Sequence, residues 1–337
     1  MVKRVGSLMP QIATTENLHE AFLRAAKGKE AKKAVRLFRE NLEKNLLNMR
    51  DELLAGEYNF GNCHFFTIFD PKRRVICAAS FPERVAFHAM MRICHPVFEA
   101  FQTNDSFASR VGKGTYAALE RTRECAWKYR WFSKLDVCKY FDSIHHDVLK
   151  RQLCRLFKDS QLLDYFAKLI DGYEVEENRG LPIGNLTSQY FANHYLSVAD
   201  HYAKEHLHVP AMVRYMDDVL LFSNDKNMLM KMVADYTDFV RDTLMLEMHS
   251  PVVNKTCHGI PFLGYVVYRD KLRLNQRSRK RFGKKMTILT SCLEEGTLSQ
   301  EEFAMRAQCL FAFVHKAECT QFLHATSLRK GMYPQGF

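Results

Sequence analysis

AMVRYMDDVLLFS, residues 211–223, reads as two apolar strands joined by a turn, with Asp217 and Asp218 at the tip. One Asp at a turn is ordinary, because its side chain can hydrogen-bond the turn backbone. Two adjacent ones are explained less well that way, although an acid pair facing solvent would be unremarkable. A third acid, Asp136, stands inside the apolar run Phe132–Phe141. Asp is disfavoured in a strand interior and costly there if buried without a partner. If the strand carrying Asp136 pairs beside the hairpin, three carboxylates converge. Like charges that close repel unless cations sit between them. Hard divalent ions are the natural solution, Mg²⁺ first, because it leaves room for waters and substrate phosphates. Two such ions roughly 3.5–4 Å apart can activate a 3′-hydroxyl and stabilise a leaving pyrophosphate.

The rest of the chain is compatible with that chemistry. Its 337 residues allow two or three packed units, and a hydrophobic content of 47 % excludes a disordered chain. Lys and Arg number 49 against 38 Asp and Glu, a formal charge of +11. That balance favours a polyanionic partner, nucleic acid first, with a basic enzyme of small substrates as the alternative. The 10 cysteines form no C-x-x-C, and the 14 histidines no H-E-x-x-H, so no zinc site is visible. No apolar run approaches the roughly 18 residues needed to span a bilayer. The N-terminal MVKRVGSLMPQ lacks an apolar stretch behind its charges, and a cytoplasmic protein is expected.

Periodicity predicts an α+β chain. Residues 16–55 read as helical, with Ala34, Phe38, Leu42, Leu46, Met49 and Leu53 as the apolar stripe and Gly56 as the stop. Lys27, Lys29, Lys32, Lys33, Arg36 and Arg39 form either a solvated surface or a phosphate contact. Residues 58–80 read as strands around a turn at Asp70-Pro71-Lys72-Arg73, and 82–101 as an apolar helix. Gly112-Lys113-Gly114 before a helix is a weak phosphate signal. FSKLDVCKYF reads as a strand, and DSIHHDVLKRQLCRLF as a helix capped by Asp142 or Ser143. Further helices are expected at 160–172, from Thr187 or Ser188 onward, at 225–246 and over most of 276–337. VVNKTCHGIPFLGYVVY and KLRLN are expected to complete the hairpin's sheet.

Tyr215-Met216-Asp217-Asp218, together with the upstream D-x-x-x-[YF]-F at Asp136, resembles the catalytic motifs of reverse transcriptases. The order matches as well: basic strands, Asp136, a Gly-containing turn at 180–189, YMDD, then FLGY at 262–265. The resemblance covers roughly 58–270. It implies a right-hand polymerase. An N-terminal helical segment at 1–55 would pack on fingers at 56–125, followed by a palm at 126–270 and a helical thumb at 271–337. Most of the family has Gln-Gly followed by Ser-Pro in the turn. Here Ile183-Gly184-Asn185-Leu186-Thr187-Ser188-Gln189 looks like the enzymes of diversity-generating retroelements. Such an enzyme copies a template RNA into cDNA carrying errors at adenines, and a small basic helical accessory protein, itself an oligomer, binds it. A retron-like or group II intron-like enzyme is the nearest alternative, and a non-catalytic RNA-binding scaffold on the same fold the remoter one.

The resemblance also assigns roles. Asp136, Asp217 and Asp218 would hold two Mg²⁺ ions, with Mn²⁺ an acceptable substitute. Lys72 and Arg74 would grip the dNTP triphosphate, with Arg73 a weaker candidate and Arg84 structural. Phe141, five residues after Asp136, would block a ribose 2′-hydroxyl; it could equally be a core aromatic at a strand end. Gly184 would let the backbone approach the nucleotide, with Gln189 nearby. Ile183 replaces an amide by a group that cannot hydrogen-bond, which would lower fidelity unless it simply packs the helix base. Tyr215, Met216, and Phe262, Leu263, Gly264 and Tyr265 would face the primer, and Lys255 would be a general acid. The acid-free run Lys271, Arg273, Arg277, Arg279, Lys280, Arg281, Lys284 and Lys285 is a solvated face or a grip on the RNA–cDNA hybrid, Arg277 and Lys280 foremost.

Overall fold

Apolar stripes at helical spacing build the N-terminal layer of the computed structural model, which describes residues 3–69 and 73–317. The 16–55 stretch is interrupted. Its helices are α2 (Thr15–Ala26), α3 (Lys33–Glu40) and α4 (Leu42–Ala55), with α1 (Met9–Ile12) ahead of them. The chain turns at 27–32, where Gly28 adopts φ 70°. Gly56 ends α4, as expected. β1 (Cys63–Ile68) and β2 (Arg74–Ala79) form the expected antiparallel hairpin, and Lys72 lies outside the described residues.

Ser80 and Glu83 form a reciprocal capping box that opens α5 (Phe81–Phe101). The Glu83 carboxylate also accepts the Gly61 and Asn62 amides, which ties the base of the hairpin to the helix. α6 (Thr115–Lys128) leads into β3 (Trp131–Leu135), then α7 (Tyr140–Ser143), α8 (His146–Leu156) and α9 (Ser160–Asp171). Neither Asp142 nor Ser143 caps α8. Left-handed Lys139, φ 44°, turns the chain straight into α7, which contains both residues, and His145 takes the cap position. α10 (Leu186–His201) starts one residue before Thr187, with Asn185 at its cap position.

β4 (Ala211–Tyr215) and β5 (Asp218–Ser223) make the central hairpin, followed by α11 (Lys226–Leu244) and β6 (Val252–Lys255). The sheet order is β4-β5-β3-β6, and every pairing is antiparallel. Strand alternation sends Leu135, Met212, Val219 and Leu221 into one core, with residues of α5, α8, α10 and α11. Phe132, Val213, Leu220 and Phe222 enter a second core with α6 and the C-terminal elements. The sheet thus has no wet face over its middle.

β7 (Ile260–Phe262), β8 (Tyr265–Val267) and β9 (Leu272–Leu274) form a separate sheet and do not complete the central one. Gly259, at φ 86°, re-aims the chain after β6; a Cβ there would lie 2.6 Å from the Val266 side chain. α12 (Gln276–Glu294) and α13 (Gln300–His315) pack behind this sheet. The thumb expected at 271–337 extends beyond the described residues, which stop at 317. Among the described residues no helix is long and apolar enough to cross a membrane.

Candidate active site

Strand register brings the three acids together. Leu135 pairs with Val219 and Tyr215 with Asp218, so Asp136, next along β3, comes level with Asp218 at the end of the sheet. Asp136 follows the last residue of β3 and is not inside the strand, so its half-buried carboxylate avoids the penalty of a strand interior. Asp217 occupies the β4–β5 turn between them. Burial, together with the negative charges of Asp136 and Asp218, pushes the Asp217 carboxyl up to about 6. A hydrogen bond from its own backbone and the Arg74 cation pull the other way. Arg74 opens β2, so the β1–β2 hairpin brings positive charge toward the acids. Lys134 Nζ lies 2.9 Å from Asp218 Oδ1, on the same side of β3 as Asp136.

The donor set suits hard divalent cations: carboxylate oxygens alone, mutually repelling, at the open end of a sheet. Among the described residues no three His, Cys, Asp or Glu side chains close into a metal cage. Mg²⁺ is commonly held by one or two carboxylates and keeps water and substrate oxygens as its other ligands.

Phe141 is the second residue of α7, half-buried, its ring edge-on to Tyr140. Its carbonyl accepts the Leu181 amide at 2.8 Å, so it borders the 181–189 loop. In that loop the Ile183 carbonyl accepts the Cys77 amide of β2 at 2.8 Å. Gly184 adopts φ 121°, and a Cβ there would sit 2.6 Å from the Cys77 carbonyl oxygen. The β2 backbone thus comes close to Gly184. Gln189 is exposed, its Oε1 3.4 Å from the Ser109 hydroxyl that donates to it. Tyr215 accepts a 3.2 Å hydrogen bond from Thr115 at the start of α6. Met216, beside it, is half-buried against the helix-side core.

Behind Gly184 lies a cavity of about 280 Å³ whose wall includes Lys29, Arg84, His88, Ile76, Asn185 and Gln189. Burial, then the charges of Arg84, Arg24 and Lys29, hold His88 below the usual imidazole range. His88 in this cavity carries no sequence signal, since it sits in an apolar helix pattern. Lys29 is the one member of the early basic run that reaches the cavity.

Other expected residues lie elsewhere. Lys255 pairs with Trp131 at the opposite end of β3, its ammonium 5.6 Å from that ring's centre. Asp136 is five residues away along the strand, roughly 17 Å at strand rise. Lys255 is therefore not placed as a general acid for this site. Phe262 and Tyr265 pair across the β7–β8 turn, with Leu263 and Gly264 between them, and both rings are buried. The Tyr265 hydroxyl donates to the Phe313 carbonyl at 2.6 Å, which ties this hairpin to α13. Arg277 and Lys280 are exposed on the first turns of α12. Lys113 is engaged locally, its ammonium on the Asn104 carbonyl and 5.0 Å from the centre of the Phe107 ring.

Sequence reasoning missed Arg214, which lies wholly buried beneath the acid-bearing turn. A lone cation in the apolar strand AMVR was the available signal.

The family described as "Reverse transcriptase (RNA-dependent DNA polymerase)" matches residues 71–267. A putative COX1/OXI3 intron 1 protein of Saccharomyces cerevisiae is 23 % identical over 49 % of this chain and 21 % of its own length. Protein YkfC of Escherichia coli is 24 % identical over 47 % of this chain and 45 % of its own. The chain thus spans less than half the length of either relative. A solved structure of telomerase from Candida albicans, with a fragment of telomeric RNA, aligns at a TM-score of 0.49. Its identity is 14 % over 82 % of this chain and 61 % of that one.

Proposed function

The chain belongs to the reverse transcriptase family and has its right-hand polymerase fold, and from that premise we propose that it is an RNA-directed DNA polymerase. The convergence of Asp136 with Asp217 and Asp218 at one end of the central sheet carries this reading. These three carboxylates would hold two Mg²⁺ ions, or Mn²⁺ in their place. When bound, the ions supply a more acidic primer 3′-hydroxyl and charge neutralisation at the leaving pyrophosphate. Arg74, aided by Lys72, binds the triphosphate as charge builds on it. Phe141 excludes a 2′-hydroxyl by contact, and Tyr215 and Met216 support the primer end beside the acids. Ile183, Gly184 and Gln189 line the nucleotide's surroundings, with Gly184 acting by letting β2 pack against the loop.

Fingers at 56–125, with 1–55 packed on them, a palm at 126–270 and a thumb from 271 are the units proposed. Phe262–Tyr265 supports the primer, and Arg277 and Lys280 hold the backbone of the RNA–cDNA hybrid. Such contacts are salt-sensitive and blind to sequence. The cation-walled cavity behind Gly184 suits phosphates of the template RNA.

The finer reading is a mutagenic enzyme that copies a template RNA into adenine-mutagenised cDNA, assisted by a small basic helical accessory protein. Its support is the loop Ile183–Gln189, with an aliphatic group where the wider family carries an amide. A second reading, an intron-type enzyme, is favoured by the similarity to an intron-encoded yeast protein. Primer extension on an RNA template with Mg²⁺, followed by cDNA sequencing, tests both levels. Wild type should extend and Asp217→Asn should not. No extension by wild type, with or without candidate accessory protein, overturns the polymerase reading. Errors concentrated at template adenines support the mutagenic enzyme; a uniformly accurate product supports the intron type.

A further inference from the structure

Every polar group of Arg214 is engaged. Its amide donates to the Asp105 carbonyl at 2.8 Å, and its carbonyl accepts the Phe107 amide at 2.9 Å. The segment around Ser106 thus clamps β4 from its outer edge. Strand alternation sends the Arg214 side chain beneath the sheet toward α10. There it forms an ion pair with Asp200, with both side chains 0 % exposed. Nε lies 2.8 Å from both Asp200 oxygens, and Nη2 lies 2.7 Å from Oδ2. Nη1 donates to Asn193 Oδ1 at 2.9 Å, and Nη2 to Gln102 Oε1 at 3.2 Å. Nη2 also donates to the Asn193 carbonyl at 3.3 Å, and a last bond, needed neither for neutralising Asp200 nor for joining the helix, runs from Nη1 to the Met216 carbonyl at 3.0 Å.

Met216 is the residue before Asp217 and adopts φ 57°, left-handed backbone that costs a non-glycine residue of order 1 kcal/mol or more. A strained peptide therefore carries the acid, and a buried guanidinium grips that peptide from below. A fully desolvated ion pair is poor value for stability alone, since apolar replacements of similar volume often do as well. We infer that Arg214 is a positioning residue. Together with Asp200 and Asn193 it fixes the Met216 peptide, so that Asp217 faces Asp136 and Asp218 in the orientation divalent cations need. This rests on the proposed ligand role of Asp217.

The test uses the full chain and Mn²⁺ alone, with binding measured by loss of the free-ion paramagnetic signal. Arg214→Met/Asp200→Leu removes both buried charges together and with them the grip on Met216. Arg214→Lys keeps the charge but cannot span Asp200 and the Met216 carbonyl at once. The double variant should unfold cooperatively near the wild-type melting temperature yet bind Mn²⁺ roughly 10- to 100-fold more weakly, the range for lost outer-shell support. Arg214→Lys should fall between. In primer extension kcat should drop with little change in the dNTP KM. A purely structural staple would lower the melting temperature and leave Mn²⁺ affinity untouched, and that outcome overturns the inference. Should the double variant fail to fold, Arg214→Lys decides: wild-type Mn²⁺ affinity in it overturns the inference. If Asp217→Asn binds Mn²⁺ as wild type does, the ligand reading fails. Loss in Asp217→Asn, with retention in the Arg214 variants, sinks only the positioning role.

Discussion

Asp217→Asn should abolish polymerisation and at the same time stabilise the metal-free protein. The Asp217 carboxyl stands at about 6, against an ordinary 3.8, because it is buried and faces Asp136 and Asp218. A raised acid pKa means that the folded chain holds its proton more tightly than the unfolded chain does. Ionising Asp217 therefore costs stability. The cost is absent below about pH 4, where both states are protonated. It grows through the interval from 4 to 6 and is complete above it. Two units correspond to about 3 kcal/mol, at 1.36 kcal/mol per unit. Asn keeps the shape and an accepting oxygen, and it cannot ionise. For a chain of 337 residues each kcal/mol shifts the melting point by roughly 1–2 °C, so the variant should melt about 4 °C above wild type in EDTA at pH 8. The gap should narrow at pH 5. Adding Mg²⁺ should raise the wild-type melting point more than the variant's, because binding to the folded state alone stabilises it. A variant no more stable than wild type at pH 8 in EDTA, or a gap indifferent to acidification, would refute the electrostatic account of the turn.

Three further outcomes follow from the geometry. Phe141→Ala should admit ribonucleotides, lowering dNTP-over-rNTP selectivity in single-nucleotide extension by roughly 10- to 100-fold; unchanged selectivity would return Phe141 to the core. Gly184→Ala should destabilise the protein by about 1–3 kcal/mol and speed amide exchange along β2, because the new Cβ meets the Cys77 carbonyl at 2.6 Å. A neutral substitution there would mean that the loop and hairpin are not so closely packed. Lys255→Ala should leave kcat within about twofold, as expected of a surface change far from the chemistry; a large loss with an altered pH–rate profile would restore it as a proton donor.

The acid cluster was legible because Asp136, Asp217 and Asp218 break strongly apolar strand patterns, and a period-2 hairpin leaves few registers open. The sequence did not reveal which end of each strand a residue occupies after pairing. Lys255 follows the hairpin in sequence, yet antiparallel pairing of β6 with β3 carries it to the end opposite Asp136. The separate β7–β9 sheet was hidden for a similar reason, since Gly259 redirects a chain whose strand propensity continues unbroken. The helix expected to be capped by Asp142 or Ser143 starts at His146, because left-handed Lys139 opens the short α7 first, and α10 starts one residue before Thr187. Arg214 was visible as an anomaly, but its partner Asp200 lies on α10, and only the docking of helix on sheet brings the two together. The need for glycine at 184 was legible, and the β2 backbone close to it was not, because only the docking of the hairpin on the loop brings Cys77 there.

Anomalous diffraction from crystals grown or soaked with Mn²⁺ tests the three-carboxylate centre most directly. Manganese peaks are predicted between the Asp136 and Asp217 carboxylates, with Asp218 beside them, and they should vanish in Asp217→Asn crystals. Well-ordered crystals showing manganese elsewhere, or peaks that survive the substitution, would contradict it.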